Sequence, residues 1–324
     1  SEGRQWLSRY CNKKGIASDS QRKSESTEKV RYTKTDKSYF KVTGGTYENT
    51  IYHPNYFTCA FLSLFLLHNA QTYQKEGSPG FPPSSLRSQR SFYKGSVHSG
   101  KFHAFANAVE HGYGIELDVQ LTKDEQLVVF HDHTLTRMCG IDLPVCEMTY
   151  EELQKYTLGN TEEKIPLFKD VLKLVDGKVP LLIEIKLPTL RTYTCQAADA
   201  LLQDYPGKYC IESFNPLALR WYKKHRKDVV RGQLSANLTK PVTEAGFLLS
   251  FLVKYLLLNF IGRPDFIAYC YTDTQNVSFI LNKCLLHTPT FAWTVRSQAV
   301  LEKYRSKFDS IIFDGFIPGH KHSV

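Results

Sequence analysis

The 324 residues carry a formal charge of +9 and 42% hydrophobic side chains, enough apolar material for a large core and too much for a disordered chain. The length exceeds one typical domain and fits an α/β barrel of about 250 residues with an extra segment. Residues 1–100 hold 15 Lys and Arg against 7 Asp and Glu, and the remainder 26 against 25, so a basic tail precedes a nearly neutral body and the body is no polycation.

Residues 1–55 are rich in Lys, Arg, Ser, Thr and Tyr without sustained periodicity, which predicts a poorly ordered basic tail. Tyr10, Tyr32 and Tyr39 could stack on bases, but they fall into no nucleic-acid module, so no nucleic-acid partner is expected. Residues 56–67 are the most apolar early stretch and are shorter than the roughly 18 to 20 residues of a spanning helix. A short buried or interfacial segment is expected there. Residues 77–85, with three prolines and two glycines, read as a linker. The division expected is a basic, low-order segment with its linker over 1–87 and a barrel over 88–324.

The first barrel strand is expected at 88–94, with Phe92 and Tyr93 as its large hydrophobes. Phe102, Phe105, Ala106 and Val109 then recur at helical spacing and Gly112 ends the run. In 115–122, Ile115, Leu117, Val119 and Leu121 alternate with Glu116, Asp118, Gln120 and Thr122, the period of a strand with one apolar face. Residues 123–126 turn, and 127–130 form a second extended run that delivers His131 and Asp132. An insertion over about 133–167 carries its own helix, with Thr149 as N-cap, Glu152 completing a capping box and Gly159 as the stop.

Phe168, Val171, Leu172 and Val175 make the next helix stripe, ended at Gly177. Strands follow at 181–186, 209–213, 229–234, 265–270, 290–295 and 310–313. With the first two these make eight, and alternating β and α units of that number predict a TIM (β/α)8 barrel. Residues 247–261 are strongly apolar, broken by Lys254 and Asn259. A core helix is favoured there over a membrane-touching face, because the run is too short to span. The eight cysteines, at 11, 59, 139, 146, 195, 210, 270 and 284, show no metal-ligand spacing. Together with 25 opening residues free of an apolar signal-like run, they predict reduced thiols and a cytoplasmic location, with membrane association left open.

Glu116 and Asp118 point the same way from one strand, and His131 arrives beside them. Two carboxylates and an imidazole make a cation site with an acid or base attached; a solvated polar strand face is the alternative. Glu184 and Lys186, in the pattern I-E-I-K at the end of the third strand, again share one face. A salt-bridged strand end is the commoner meaning of that pattern. Barrels place catalytic groups at the C-terminal strand ends, where all of these fall.

The runs G-Y-G-I-E-L-D-V-Q-L-T-K-D, L-V-V-F-H-D, T-L-T-R, P-L-L-I-E-I-K, E-S-F-N-P, R-P-D-F-I-A-Y and F-A-W-T-V-R follow one another between residues 112 and 296. In type and order they resemble the glycerophosphodiester phosphodiesterases, over roughly 102–318 and not over the first hundred residues. The resemblance implies a metal-dependent hydrolase that cleaves glycerophosphodiesters to glycerol 3-phosphate and an alcohol. It implies that Glu116, Asp118 and Glu184 ligate a divalent cation, for which hard carboxylate oxygens suit Ca²⁺ or Mg²⁺. It further implies that Lys186 contacts the phosphate, that His131 is the general acid, and that Trp293 lines the mouth. The partner implied is a small-molecule glycerophosphodiester; peripheral membrane contact and oligomeric state stay open.

The chain departs from the family at the start of the barrel. Members open with His-Arg-Gly and then Glu-Asn-Thr or Glu-Asn-Ser, which supply a first catalytic histidine, a phosphate-binding arginine and another metal carboxylate. Here the nearest counterpart is Tyr93-Lys94-Gly95, which keeps a cation in Lys94 but no imidazole, and Ser99 stands at the Glu position. His98 and His103 are nearby but out of place. A catalytically silent barrel that binds phosphate or a cation, and a lipid-surface protein, are therefore the alternative readings. Residues 99–103 can be encoded TCC-GGA-AAA-TTC-CAT, and the same bases read one nucleotide later give Pro-Glu-Asn-Ser-Met, the family pattern. An out-of-frame segment upstream of Phe102 is thus one hypothesis for the abrupt end of resemblance, and genuine divergence is the other. Sequencing the gene across codons 85–106 decides between them, because any other codons at these five positions end the frame hypothesis.

Overall fold

The computed structural model describes residues 91–94, 102–237 and 247–318, with backbone only at 91–94, 102 and 247–249. The expected basic tail, the apolar stretch at 56–67, the linker and the 1–87 segment as a whole lie outside the described residues. Strand β1, Ser91–Lys94, leads to helix α1, Phe102–Glu110. Strand β2, Gly114–Leu121, and the short β3, Leu127–Val129, form an antiparallel hairpin. Six further strands follow: β4 Leu181–Ile185, β5 Tyr209–Ser213, β6 Arg231–Ser235, β7 Phe266–Cys270, β8 Thr290–Val295 and β9 Ser310–Phe313.

Strands β1, β2 and β4 to β9 pair in parallel, in the order β1-β2-β4-β5-β6-β7-β8-β9. Strand β1 also pairs with β9, Phe92 opposite Ile312, so the pairing runs round a TIM-barrel-like α/β fold. The expected strands all form, and β6 begins two residues later than its apolar run suggests. Helices α4 Phe168–Val175, α5 Tyr193–Leu202, α6 Pro216–His225, α9 Val277–Cys284 and α10 Gln298–Tyr304 lie between strands. Each presents an apolar stripe to the outer sheet face, as period-3.6 patterning requires.

Leu182, Cys210, Leu234, Phe266, Phe291 and Ile312 come from six different strands and still form one buried cluster. Along the same strands they alternate with Leu181, Ile183, Ile211, Ile267, Ala292 and Ile311, which belong to other buried clusters, so these residues face inwards and plug the barrel. Phe266 and Phe291 stack with centroids 4.6 Å apart. The bulk is admitted by Gly232, whose register partner is Phe266; a Cβ there would lie 2.1 Å from the Phe266 ring.

Between β3 and α4 the insertion builds a core of its own from Val128, Phe130, Leu135, Val145, Met148, Leu153, Leu158 and Ile165. It contains helix α2, Thr136–Cys139, and helix α3, Tyr150–Leu153. The expected capping box is present: Glu152 N donates to Thr149 Oγ1 at 3.2 Å and Thr149 N to Glu152 Oε2 at 2.8 Å. The helix stops at Leu153 rather than near Gly159. Leu153 and Leu158 both enter the same small core, yet residues five apart sit about 140° apart on a helix, so the chain must leave the helix between them.

The apolar run at 247–261 divides into α7, Phe247–Lys254, and α8, Asn259–Gly262, with Leu256 between them at φ +56°. Val253 and Leu256 are buried whereas Phe251 and Phe260 are 37% and 46% exposed. The segment is therefore core on one side only, which corrects the expectation of a single core helix. Among the described residues no helix is long and apolar enough to cross a membrane.

Gly232→Ala should destabilise the protein by about 1–3 kcal/mol, the usual cost of overpacking a filled core. The Phe266 ring cannot retreat, because Phe291 is stacked on it. Urea unfolding measures the effect, and a neutral midpoint would show that the barrel interior is looser than this packing implies.

Candidate functional site

Strand β2 sets the geometry. Ile115, Leu117 and Val119 are fully buried in the layer between sheet and helices. The alternation turns Glu116, Asp118 and Gln120 to the inner face, at 1%, 1% and 5% exposure. Register then brings the other charged groups alongside: Asp118 lies opposite Glu184 on β4, and Glu184 opposite Glu212 on β5. One carboxylate oxygen from each of Glu116, Asp118 and Glu184 lies within 4.8 Å of the other two. Hard cations bind oxygens at about 2.0–2.6 Å, so opposed ligand oxygens stand about 4–5 Å apart, and this set could hold a divalent ion.

Lys186 reaches into the same group. Its Nζ lies 2.9 Å from Asp118 Oδ1 and 2.7 Å from Glu184 Oε1, with the side chain 9% exposed. Burial pulls its pKa down, but the charges and hydrogen bonds of Asp118 and Glu184 reverse that and hold the ammonium above its ordinary value. Lys186 is therefore a fixed positive charge at any working pH. Glu116, Asp118, Glu184 and Lys186 are thus brought together.

His131 borders the same cleft, of about 330 Å³, with Glu184, Lys186, Phe214 and Asn215. Its Nδ1 is 2.7 Å from Asp132 Oδ1, which directs the other ring nitrogen away from the partner. Asp132 is clamped in turn by Arg137, through Nε to Oδ2 at 2.8 Å and a terminal nitrogen to Oδ1 at 3.0 Å. Burial raises the Asp132 pKa, but hydrogen bonds from His131 and Arg137 outweigh it and bring it from 3.8 to about 2. The histidine is held from the backbone side as well. Gln120 Nε2 donates to Phe130 O at 2.6 Å and to Asp132 O at 2.8 Å, tying the end of the hairpin to the inner face of β2.

Trp293 stands on β8 against Phe214, edge to face with centroids 5.7 Å apart. It is half-buried and meets the cleft through Phe214 rather than lining it directly. Lys94 pairs through its backbone with Glu116; its side chain, like Ser99 and His98, lies outside the described residues. His103 is turned to the outside of the barrel, where Nδ1 meets Glu163 Oε1 at 2.7 Å in a separate cleft with Tyr150 and Asp170. That contact holds it to the insertion, so it is not positioned beside His131's cleft.

Three polar residues escaped the sequence reading. Glu212 is 1% exposed beside Glu184; it opens the run E-S-F-N-P that resembles the family, and no role was read from it. Its charge and the burial of the site push the Cys210 thiol well above its ordinary pKa. Gln120 shares the face of Glu116 and Asp118, a signal present but not used. Gln233 Nε2 donates to the carbonyls of Ser213 and Phe214, each at 3.1 Å, and fixes the wall of the cleft; nothing in its neighbourhood in sequence announces this. The six cysteines among the described residues are all free thiols.

Comparison with known proteins gives a consistent result. The profile of the glycerophosphoryl diester phosphodiesterase family matches residues 101–316. A glycerophosphodiester phosphodiesterase from Caldanaerobacter subterraneus is 30% identical over 234 residues, 68% of this chain and 89% of that protein. One from Bacillus altitudinis is 40% identical over 102 residues, which are 29% of this chain and 42% of the relative's length. Among solved structures, an Oleispira antarctica phosphodiesterase in complex with the product sn-glycerol-3-phosphate superposes with a TM-score of 0.55 at 21% identity. That match covers 69% of this chain and 92% of that one, and it shows the fold.

Asp132 titrates near 2 when folded and 3.8 when unfolded, so its pairing adds stability that is complete above about pH 4. That contribution drains away as pH falls from 3.8 through about 2. Thermal midpoints of wild type and Asp132→Asn should therefore differ by a constant amount at neutral pH and converge towards pH about 2. A gap that persists at the acid end would show that the residue acts by packing instead.

Proposed function

Because this chain belongs to the glycerophosphoryl diester phosphodiesterase family, we propose that it hydrolyses glycerophosphodiesters to glycerol 3-phosphate and an alcohol with the help of a divalent cation. One observation carries the reading: three buried carboxylates and a buried ammonium share the inner barrel face, and two of the four, Glu184 and Lys186, line a cleft bordered by an aspartate-oriented histidine. Glu116, Asp118 and Glu184 would hold the cation, Ca²⁺ or Mg²⁺ by the hardness of their oxygens. When bound, the ion offsets negative charge that builds on the phosphodiester under attack.

The remaining work falls to the chain's own groups. Lys186 supplies positive charge to the non-bridging phosphate oxygens. His131 keeps Nδ1 on Asp132 and presents Nε2 to the leaving oxygen. A water oxygen attacks phosphorus and releases its proton to bulk water, the bond to the alcohol oxygen breaks, and the Nε2 proton goes to that oxygen. Phe214, backed by Trp293, provides an apolar wall for the departing alcohol. That the Oleispira relative of this fold holds sn-glycerol-3-phosphate supports the choice of product.

Turnover in this chain should be slow. The acceptor for the water's proton in the family is the histidine of His-Arg-Gly, and Tyr93-Lys94-Gly95 offers none. Loss of one acid-base partner commonly costs about 10²- to 10⁴-fold, and the intact inner face then favours binding over turnover.

The test is release of glycerol 3-phosphate from glycerophosphocholine by the full chain with Mg²⁺, with Ca²⁺ and with EDTA. Activity should require a cation and fall by about 10²-fold or more in Glu116→Gln and in His131→Ala. Full activity in EDTA would remove the cation from the reading. A folded chain that binds Mg²⁺ or Ca²⁺ without turnover would make it a binding barrel.

A further inference from the structure

Lys186 is an ammonium almost without solvent, 2.9 Å from Asp118 Oδ1 and 2.7 Å from Glu184 Oε1. Those are two of the three carboxylates spaced closely enough to share a cation. An ammonium and a divalent ion drawing on the same carboxylates compete for the same negative charge, and at a few ångströms their own repulsion is large. Without a cation, Lys186 is the ammonium that offsets Asp118 and Glu184, and two anions buried side by side are costly without such an offset. Once a cation is held, the ammonium is surplus there. Its four-carbon stem lets the charge move, and the open side is the cleft that Lys186 itself lines, where an anion would be its nearest compensation.

We infer that Lys186 is a built-in placeholder for the cation: it neutralises Asp118 and Glu184 until those carboxylates are taken, and then turns its ammonium to a phosphate in the cleft. The inference rests on the cation site proposed above and adds an order of events. Cation and phosphate bind with positive coupling, and Lys186 carries the coupling through a change of partner, with no covalent bond made or broken. By reciprocity, phosphate should raise the affinity for the cation by the same factor. A merely structural ion pair would stay on Asp118 and Glu184 throughout and add nothing to the direct attraction between cation and phosphate.

Calorimetric titration of Mg²⁺ and of Ca²⁺ into the full chain and into Lys186→Met tests this. The variant should bind the cation about 5- to 150-fold more tightly. In wild type, the cation should strengthen inorganic phosphate binding by a comparable factor, and that enhancement should fall in the variant to what the cation's own attraction for phosphate supplies. Equal or weaker cation affinity in Lys186→Met would overturn the placeholder while leaving the cation site standing. Failure of both proteins to bind either ion would overturn the site and the placeholder together. Because Lys186→Met removes the ammonium from Asp118 and Glu184 and can unfold, the ¹⁵Nζ resonance of Lys186 in wild type gives an independent reading. It should shift as cation is added and again with phosphate; a resonance unmoved at saturating cation overturns the inference.

Discussion

The arrangement depends on one constraint: Glu116, Asp118, Glu184 and Lys186 are charged groups buried on one face of adjoining strands. Buried charges persist only when paired or hydrogen-bonded, so these four must stay in mutual register or the fold loses more than it gains. The parallel ladder between β2 and β4 enforces that register, with Asp118 opposite Glu184. A slip of one residue would send Glu116 and Asp118 into the apolar layer under the helices and bring Leu117 inside. The apolar residues on the reverse of β2 therefore act on the chemistry, because they are what makes the slip expensive.

The rest of the barrel is built so that this face stays dry at its base and open at its mouth. Phe266, Phe291, Leu182 and Cys210 close the interior below the charged layer, and the absence of a side chain at Gly232 is what allows the two rings to stack. Above the layer, amide side chains take over from apolar packing. Gln120 and Gln233 each hold backbone carbonyls of a strand end, and Ser213 Oγ donates to Ile185 O at 2.7 Å. Such bonds fix the direction of His131 and Phe214 without filling the cleft with hydrocarbon. Preorganisation of this kind is worth more in a site sheltered from water than at a surface.

Much of this was legible in the chain because period-two alternation is unambiguous in β2, where Ile115, Leu117, Val119 and Leu121 interleave with Glu116, Asp118 and Gln120. The same stretch carried the family resemblance, so fold and candidate site were read together. Long-range polar contacts were not legible. Gln233 and Phe214 lie 19 residues apart, and local pattern contains nothing that pairs them. Glu212 was hidden by the rule that made its strand visible, since a central parallel strand is expected to be apolar on both faces. The insertion helix ended early because tertiary packing of Leu153 and Leu158 overrode a good helical start. In 247–261 composition suggested burial, and only the break at Leu256 shows that one side of the run faces outwards.

The proposed site divides into two kinds of group: the buried charged residues on the inner face of β2 and β4, and the part-exposed His131 at the end of the hairpin. Stability considerations favour that division. Losing any one of the buried charged groups leaves its partners uncompensated in a dry site, typically at a cost of several kcal/mol. An exposed histidine is different: the His131 side chain is 38% exposed, and a group so placed can be replaced with little cost to folding. The groups proposed above for cation and phosphate are thus tied to the fold's integrity, while the proposed proton donor is a group the fold can spare.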